Sequence, residues 1–414
     1  MKRSRTATLG LKHLAFFETL EKSPAESPRA HAVKAGLLLM RLIDHWQLAG
    51  PVMVEPESVS MRSVREAIMH LDADDPSREV LLGMMNAMQT VREVDIQMLL
   101  PRLFAYAGCL EKRAELTLAV DVYGTIARLA DEEYDGDLLL DALLNLGYCQ
   151  RLLGALNEAE SAYVAVGKLA KRRKYAAGTM RSQIGLGIVV MMRGNLPQAE
   201  ELLARVAIDS AREGCRPEHA RALHVRASVA LRRGAIAGAV RLGYEALQLT
   251  DRSNERDLIL GDIAAYLIVM GRYEAARDAL MILDATATTE VVRINARVNM
   301  VALAARAGNE GLFRNAHALL AHTALPGEAR VNYLIESARG FRCFGEPDVA
   351  TRLLEEARVL ATDLNLNRSV FEAEAMLAES AIHASTSRSD TRVEHSDVAT
   401  DVEAELRKMA LAVG

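Results

Sequence analysis

Residues 143–166 read LLNLGYCQRLLGALNEAESAYVAV. Two runs of helix formers flank Gly154, with Gly147 seven residues before it and Ala159 five residues after. Tyr163 and Val166 follow Ala159 at spacings of four and three, which puts the three on one face of a second helix. Glycine reaches φ > 0 at a tight turn without a steric cost, and small side chains let two helix backbones come close. The stretch therefore predicts two antiparallel helices hinged at Gly154.

The same signature recurs. Gly194, Gly234, Gly271, Gly308 and Gly345 follow at intervals of 40, 40, 37, 37 and 37 residues, in a chain with only 26 glycines among 414 residues. With the glycine numbered as position 15, position 8 is Gly147, Gly187, Ala227, Ala264, Val301 and Ala338. Position 20 is Ala159, Ala199, Ala239, Ala276, Phe313 and Ala350, and position 27 is apolar in every copy. Forty residues before Gly154 stands Ala114, with Ala107, Ala119 and Tyr123 at positions 8, 20 and 24. Seven copies thus cover about residues 100–365. Repetition at this length means stacked helix pairs, whose product is a surface rather than a reaction centre.

This pattern resembles the tetratricopeptide repeat, with its small residue at position 8, glycine at 15, alanine at 20, large residue at 24 and alanine at 27. The chain departs from the family in lacking tryptophan at position 4 and proline at position 32, in its longer period, and in Phe313 at position 20. The resemblance implies an all-α, right-handed superhelical solenoid of antiparallel helix pairs. It also implies that positions 2, 5, 6, 9, 12 and 13 of each first helix line an inner groove. Carried over, these positions give Asn145, Tyr148 and Arg181, then Arg221, His224 and Arg232. Further along they give Asn295, Asn299 and Arg306, then Asn332 and Arg339. Asparagine is a poor helix former, and its amide can pair with an extended peptide through both donor and acceptor. Arginine can grip a carboxylate with two parallel bonds. The expected function is a non-enzymatic scaffold or adaptor that holds a protein or peptide segment. The alternative is a ligand- or peptide-responsive regulator of a transcription or signalling partner.

Composition narrows the field. Half the residues are apolar, 4% are aromatic, and the formal net charge is −5, which argues against a general electrostatic grip on nucleic acid. The four cysteines, Cys109, Cys149, Cys215 and Cys343, form no CxxC pair and read as free thiols in a reducing compartment. No secretory h-region follows the basic N-terminus, and the most apolar stretch, Gly36 to Ile43, is too short to span a membrane. The expectation is a cytoplasmic protein with no membrane or nucleic-acid partner; the repeats set no oligomeric state.

No reaction chemistry stands out. Gly185-Leu186-Gly187 lies within a helical run and lacks a third glycine, so it is not read as a phosphate loop. The ten histidines show no metal spacing, no cofactor is expected, and Cys149 has no histidine neighbour in sequence. The basic run Lys168 to Lys174 reads as a helix C-terminus that complements the macrodipole. A helix-turn-helix over residues 59–90 is rejected because Asp72, Asp74 and Asp75 crowd its turn.

Four regions are expected. Residues 1–95 form helices that are either degenerate repeats or a separate bundle, opening with Ser27 and Pro28 as cap and first turn. Residues 96–366 hold the seven repeats, and 367–384 form a capping helix with Phe371 and Ala375 at positions 4 and 8. Residues 385–414 are read as a disordered polar tail ending in a short amphipathic stretch, Val402 to Leu411.

Overall fold

The computed structural model describes residues 12–49, 59–90, 96–323, 325, 327–364, 366–382 and 397–413. These form twenty α-helices and one 3-10 turn, and no strand occurs among the described residues. The architecture is all-α. All seven expected turns exist, and each places its central residue in the left-handed region: φ is 59° at Ala114 and 66–85° at Gly154, Gly194, Gly234, Gly271, Gly308 and Gly345. At Gly154 the closing bonds run from Gly154 N to Arg151 O (3.1 Å) and from Ala155 N to Gln150 O (2.9 Å). These bonds satisfy carbonyls that the end of the first helix would otherwise leave open.

The chain divides into two compact units, Met1–Arg193 and Gly194–Gly414. In the first unit, α1 (Leu14–Lys22), α2 (Pro28–Ala49), α3 (Val59–Met69) and α4 (Pro76–Thr90) precede the 3-10 turn Ile96–Leu99. The repeats follow as α5 (Leu100–Lys112), α6 (Leu116–Leu129), α7 (Gly136–Leu152), α8 (Leu156–Arg172) and α9 (Ala176–Met192), each packed on the next. A single core runs from Phe16 and Leu39 through Met84 and Tyr106 to Tyr123 and Cys149, so the described N-terminal helices share their interior with the first repeats. Gly36 on α2 leaves room for the Tyr106 side chain of α5, since a Cβ there would fall 2.0 Å from its Oη. A polar clasp adds to this: buried His13 lies 2.8 Å from Asp121 on α6 and 3.1 Å from Asp44 on α2. Asp75, read above as hostile to DNA, accepts from Ser77 N at the start of α4 and pairs with Arg113 at 2.7 Å.

Within α7 to α9 the small residues accommodate one ring. A Cβ on Gly147 would come 2.9 Å from Tyr163, and one on Gly185 would come 2.5 Å from it. Gly185 is thus a packing glycine that makes room for the large side chain at position 24.

The second unit begins with α10 (Leu196–Arg212) and α11 (Arg216–Arg232), followed by α12 (Ile236–Leu249), α13 (Ser253–Val269) and α14 (Tyr273–Thr286). It continues with α15 (Glu290–Arg306), α16 (Glu310–Ala321), α17 (Gly327–Cys343), α18 (Pro347–Asp363), α19 (Asn367–Ile382) and α20 (Asp397–Val413). The two periods have a local origin. The second helices α8 and α10 have 17 residues, whereas α12 and α14 have 14, a difference of just under one turn.

Phe313 marks a real departure within the array. Its ring is fully buried, 5.2 Å from that of Phe341 and 5.3 Å from that of Phe344. Gly340 makes the space, since a Cβ there would sit 2.1 Å from Phe313 Cε2. With a ring where alanine draws other pairs together, α17 packs chiefly on α15 rather than on α16. His317, at position 24, takes an aromatic role: it stacks on Phe313 and Tyr333 and lies 3.1 Å from Ser337 Oγ.

The C-terminal region departs from expectation twice. Helix α19 packs on α18, but it buries Ala373 and Met376 while Phe371 is 70% exposed, so its register is not that of positions 4 and 8. Residues 383–396, on which the expected disorder falls, lie outside the described residues; beyond them the amphipathic stretch Val402 to Leu411 belongs to a longer, regular 17-residue helix, α20. It packs on α12 and α14, where it buries Val402 and Leu406 and sets Glu403 3.3 Å from Arg272. Burying each of these two apolar side chains contributes about 1.5–3 kcal/mol before the helix's ordering cost is counted.

Ala199 is fully buried at position 20. Ala199→Leu is expected to lower stability by about 1–3 kcal/mol through overpacking, read as a shift in denaturation midpoint. An unchanged midpoint would show that position 20 is not a close contact. Burial, aided by Arg314, lowers the pKa of His317. The unfolded chain thus binds the extra proton first, so stability contributed here is present above about pH 6.5 and lost as pH falls through the lowered value. The fall in Tm between pH 7.5 and 5.5 should be smaller in His317→Phe than in the parent, and equal falls would refute this assignment.

Candidate functional site

The expected groove residues lie on α7 and α9 in the first unit and on α11, α15 and α17 in the second. Those of the first unit are tied into the structure. Asn145 Nδ2 donates to Tyr123 Oη (3.2 Å), which in turn donates to Glu111 Oε2 (3.1 Å). Burial raises the Glu111 carboxyl and pushes the Cys149 thiol beside it up to about 12, so this thiol is held neutral. The Arg151 guanidinium lies 5.3 Å above the Tyr148 ring, and Arg181 stands 3.8 Å from Asp141 one repeat earlier.

In the second unit a polar ladder runs along the first helices. His224 Nε2 on α11 is 2.7 Å from Asp262 on α13. Arg306 on α15 donates two bonds to the Glu336 carboxylate of α17, at 2.9 and 3.1 Å. Arg339 donates to the same Glu336 (3.2 Å) and to Glu372 on α19 (3.1 Å). Arg342 donates to Met376 O and stands 3.7 Å from Glu379. Arg181, Arg306 and Arg339 do meet carboxylates, each with at least one from a neighbouring repeat, while Arg221 and Arg232 meet none among the described residues. A signal for this was present in the sequence: position 6 is acidic at Asp262 and Glu336, and Glu336 follows a repeat with arginine at position 13.

Five expected residues remain without a hydrogen bond or ion pair among the described residues: Arg221 and Arg232 on α11, Asn295 and Asn299 on α15, and Asn332 on α17. Asn295 and Asn299 are one helical turn apart on α15, which packs on α17, the helix that carries Asn332; the Arg306–Glu336–Arg339 cluster joins the same two helices. Each amide offers two donors and one acceptor oxygen, the complement of an extended backbone.

Elsewhere the charged residues serve the frame. Of the Lys168–Lys174 run, Arg172 binds Glu132 with two bonds and Arg173 reaches Asp137, closing α8 onto the loop before α7. On the second-helix face an apolar cavity of about 430 Å³ opens between α14 and α16, lined by Met281, Met300 and Leu319 among others. The described residues contain no group of three or more histidine, cysteine, aspartate or glutamate side chains placed to hold a metal ion, and no helix long and apolar enough to cross a membrane.

Among solved structures, the chain is similar to the Rap conjugation gene regulator of the plasmid pLS20 in complex with the Phr* peptide. The TM-score is 0.51 at 11% identity, over 81% of this chain and 97% of that one. The fold is of the tetratricopeptide-repeat type. A tetratricopeptide repeat protein from Parabacteroides merdae matches over 66% of this chain and 98% of its own, at 15% identity and a TM-score of 0.43. A Rap protein complexed with competence and sporulation factor matches over 85% and 99%, at 11% identity and a TM-score of 0.49. At these identities the likeness is one of fold alone. No family model matches the chain, and no curated protein matches it.

The Glu336 carboxylate holds two guanidinium groups, so Glu336→Gln should lower stability by about 1 kcal/mol, the scale of a partly exposed ion-pair network. Asn332→Ala, which removes no such bond and introduces a better helix former, should leave the unfolding midpoint unchanged or slightly raised. A larger loss for Asn332→Ala than for Glu336→Gln would invert the roles assigned here.

Proposed function

We propose that the chain is a non-enzymatic interaction protein that holds an extended peptide segment along the first-helix face of its second unit. The observation that carries this reading is the patch of Asn295, Asn299 and Asn332, three amides without internal partners on adjoining helices. Asparagine weakens a helix relative to alanine, and here it gains no hydrogen bond in return. A bound backbone supplies that return. The fold is suited to the task, since the Rap regulator with this architecture is seen in complex with a peptide. The exposed Arg221 and Arg232 add positive charge further along the same set of helices, which favours a segment carrying a carboxylate. Arg306 and Arg339, already paired, support the patch rather than grip the ligand. The alternative, a peptide-responsive regulator, requires that such binding change how the repeats pack.

The test is selection of a displayed random-peptide library on the whole protein, followed by affinity measurement of an enriched peptide. The double variant Asn299→Ala/Asn332→Ala should bind that peptide at least tenfold more weakly, with its circular dichroism unchanged. Backbone hydrogen bonds contribute about 0.5–1.5 kcal/mol each, and the amides lost here offer several. Full affinity in the double variant would place recognition away from these amides, and no enrichment at all would set the peptide reading aside.

A further inference from the structure

The position of α20 raises a question that the array does not answer. A terminal helix that only shields the last repeat belongs on α18 or α19, and α19 already fills that place. Instead α20 lies on α12 and α14, second helices from the middle of the unit. Its hold is narrow. Val402 and Leu406 are its fully buried apolar side chains, one turn apart, and Glu403 reaches Arg272 at the start of α14. Glu405 pairs with Lys408 on the helix's own surface, and Leu411 is 77% exposed. A 17-residue helix of this composition is marginal by itself in water, so its helicity here depends on the surface beneath it.

That surface therefore recognises a specific chemistry. It takes an amphipathic helix with two apolar residues at i and i+4 and an acidic residue at i+1, the helix-in-groove mode of peptide capture. We propose that the α12/α14 face is a second binding surface, distinct from the first-helix patch. In this proposal α20 occupies it in cis, and a partner helix bearing the same apolar-acidic-x-x-apolar pattern displaces α20. Residues 383–396 connect α19 to α20 in the chain, so a partner helix must displace a segment of the same molecule. The partner must bind more tightly than α20 or arrive when α20 is released.

The test uses the full-length protein and a fluorescent peptide of residues 397–413. The variant Val402→Asp/Leu406→Asp removes the apolar hold of α20 and leaves α12 and α14 intact. The labelled peptide should bind this variant at least tenfold more tightly than it binds the parent. An unlabelled peptide carrying the same two aspartates should not compete. If the double variant loses helicity beyond α20 itself, the single variant Glu403→Arg gives the same comparison with the apolar contacts retained. Equal binding to parent and variant would show that the peptide uses a surface that α20 does not cover, such as the α14/α16 cavity, and would overturn the proposal. Absence of binding to a folded variant would do the same, leaving α20 a fixed part of the fold. None of these results depends on the amides of α15 and α17, so failure here leaves the reading of that patch untouched.

Discussion

The left-handed turn between paired helices is the constraint on which the rest depends. With φ held between 59° and 85°, the chain reverses within three residues, and the two helices leave the turn already side by side. Small residues at positions 8 and 20 then let the paired backbones come close in most repeats. Every position-20 alanine in the array is buried to within a percent or so. Ala114 shows that the geometry outranks the residue, since it takes the same left-handed conformation at a cost glycine avoids. Once the pairs are set, first helices adjoin first helices, and each unit gains two chemically different faces.

The Phe313 repeat shows how such an array tolerates an exception. A ring at position 20 is admitted because Gly340 on the following first helix gives way, and because His317, Phe341 and Phe344 close around it. The adjustment is passed on: α17 leans on α15, and the second-helix layer opens into the cavity between α14 and α16. α15 and α17, which pack on each other, carry the three asparagines and the Arg306–Glu336–Arg339 cluster.

The seven turns were legible in the sequence because glycine and small-residue spacing encode a backbone requirement directly. The groove residues were legible only as positions. That Asn145 would be bound by Tyr123, or Arg306 by Glu336, depends on side chains 22 and 30 residues away, at offsets that vary from repeat to repeat. The clasp of His13 with Asp44 and Asp121 left no periodic trace, since it joins a residue outside the repeats to one within them. The register of α19 slipped because a terminal helix has no following partner to enforce the family spacing. The last helix is legible only as the short amphipathic stretch Val402 to Leu411; where it docks is not, because the surface of α12 and α14 that buries its few apolar residues lies far away in sequence.

Internal pairing of the arginines has a further consequence, for the kinetics of any encounter at the first-helix face. A row of free guanidinium groups would project a field over roughly a Debye length and speed the approach of acidic ligands. Here Arg306 and Arg339 are neutralised by Glu336 and Glu372, so little of that field leaves the surface. A segment reaching the amides of α15 and α17 would meet mainly short-range forces there, the unpaired charge lying further along at Arg221 and Arg232. Its association rate should sit in the ordinary range of unsteered encounters and respond weakly to salt, and selectivity should reside in how long it stays.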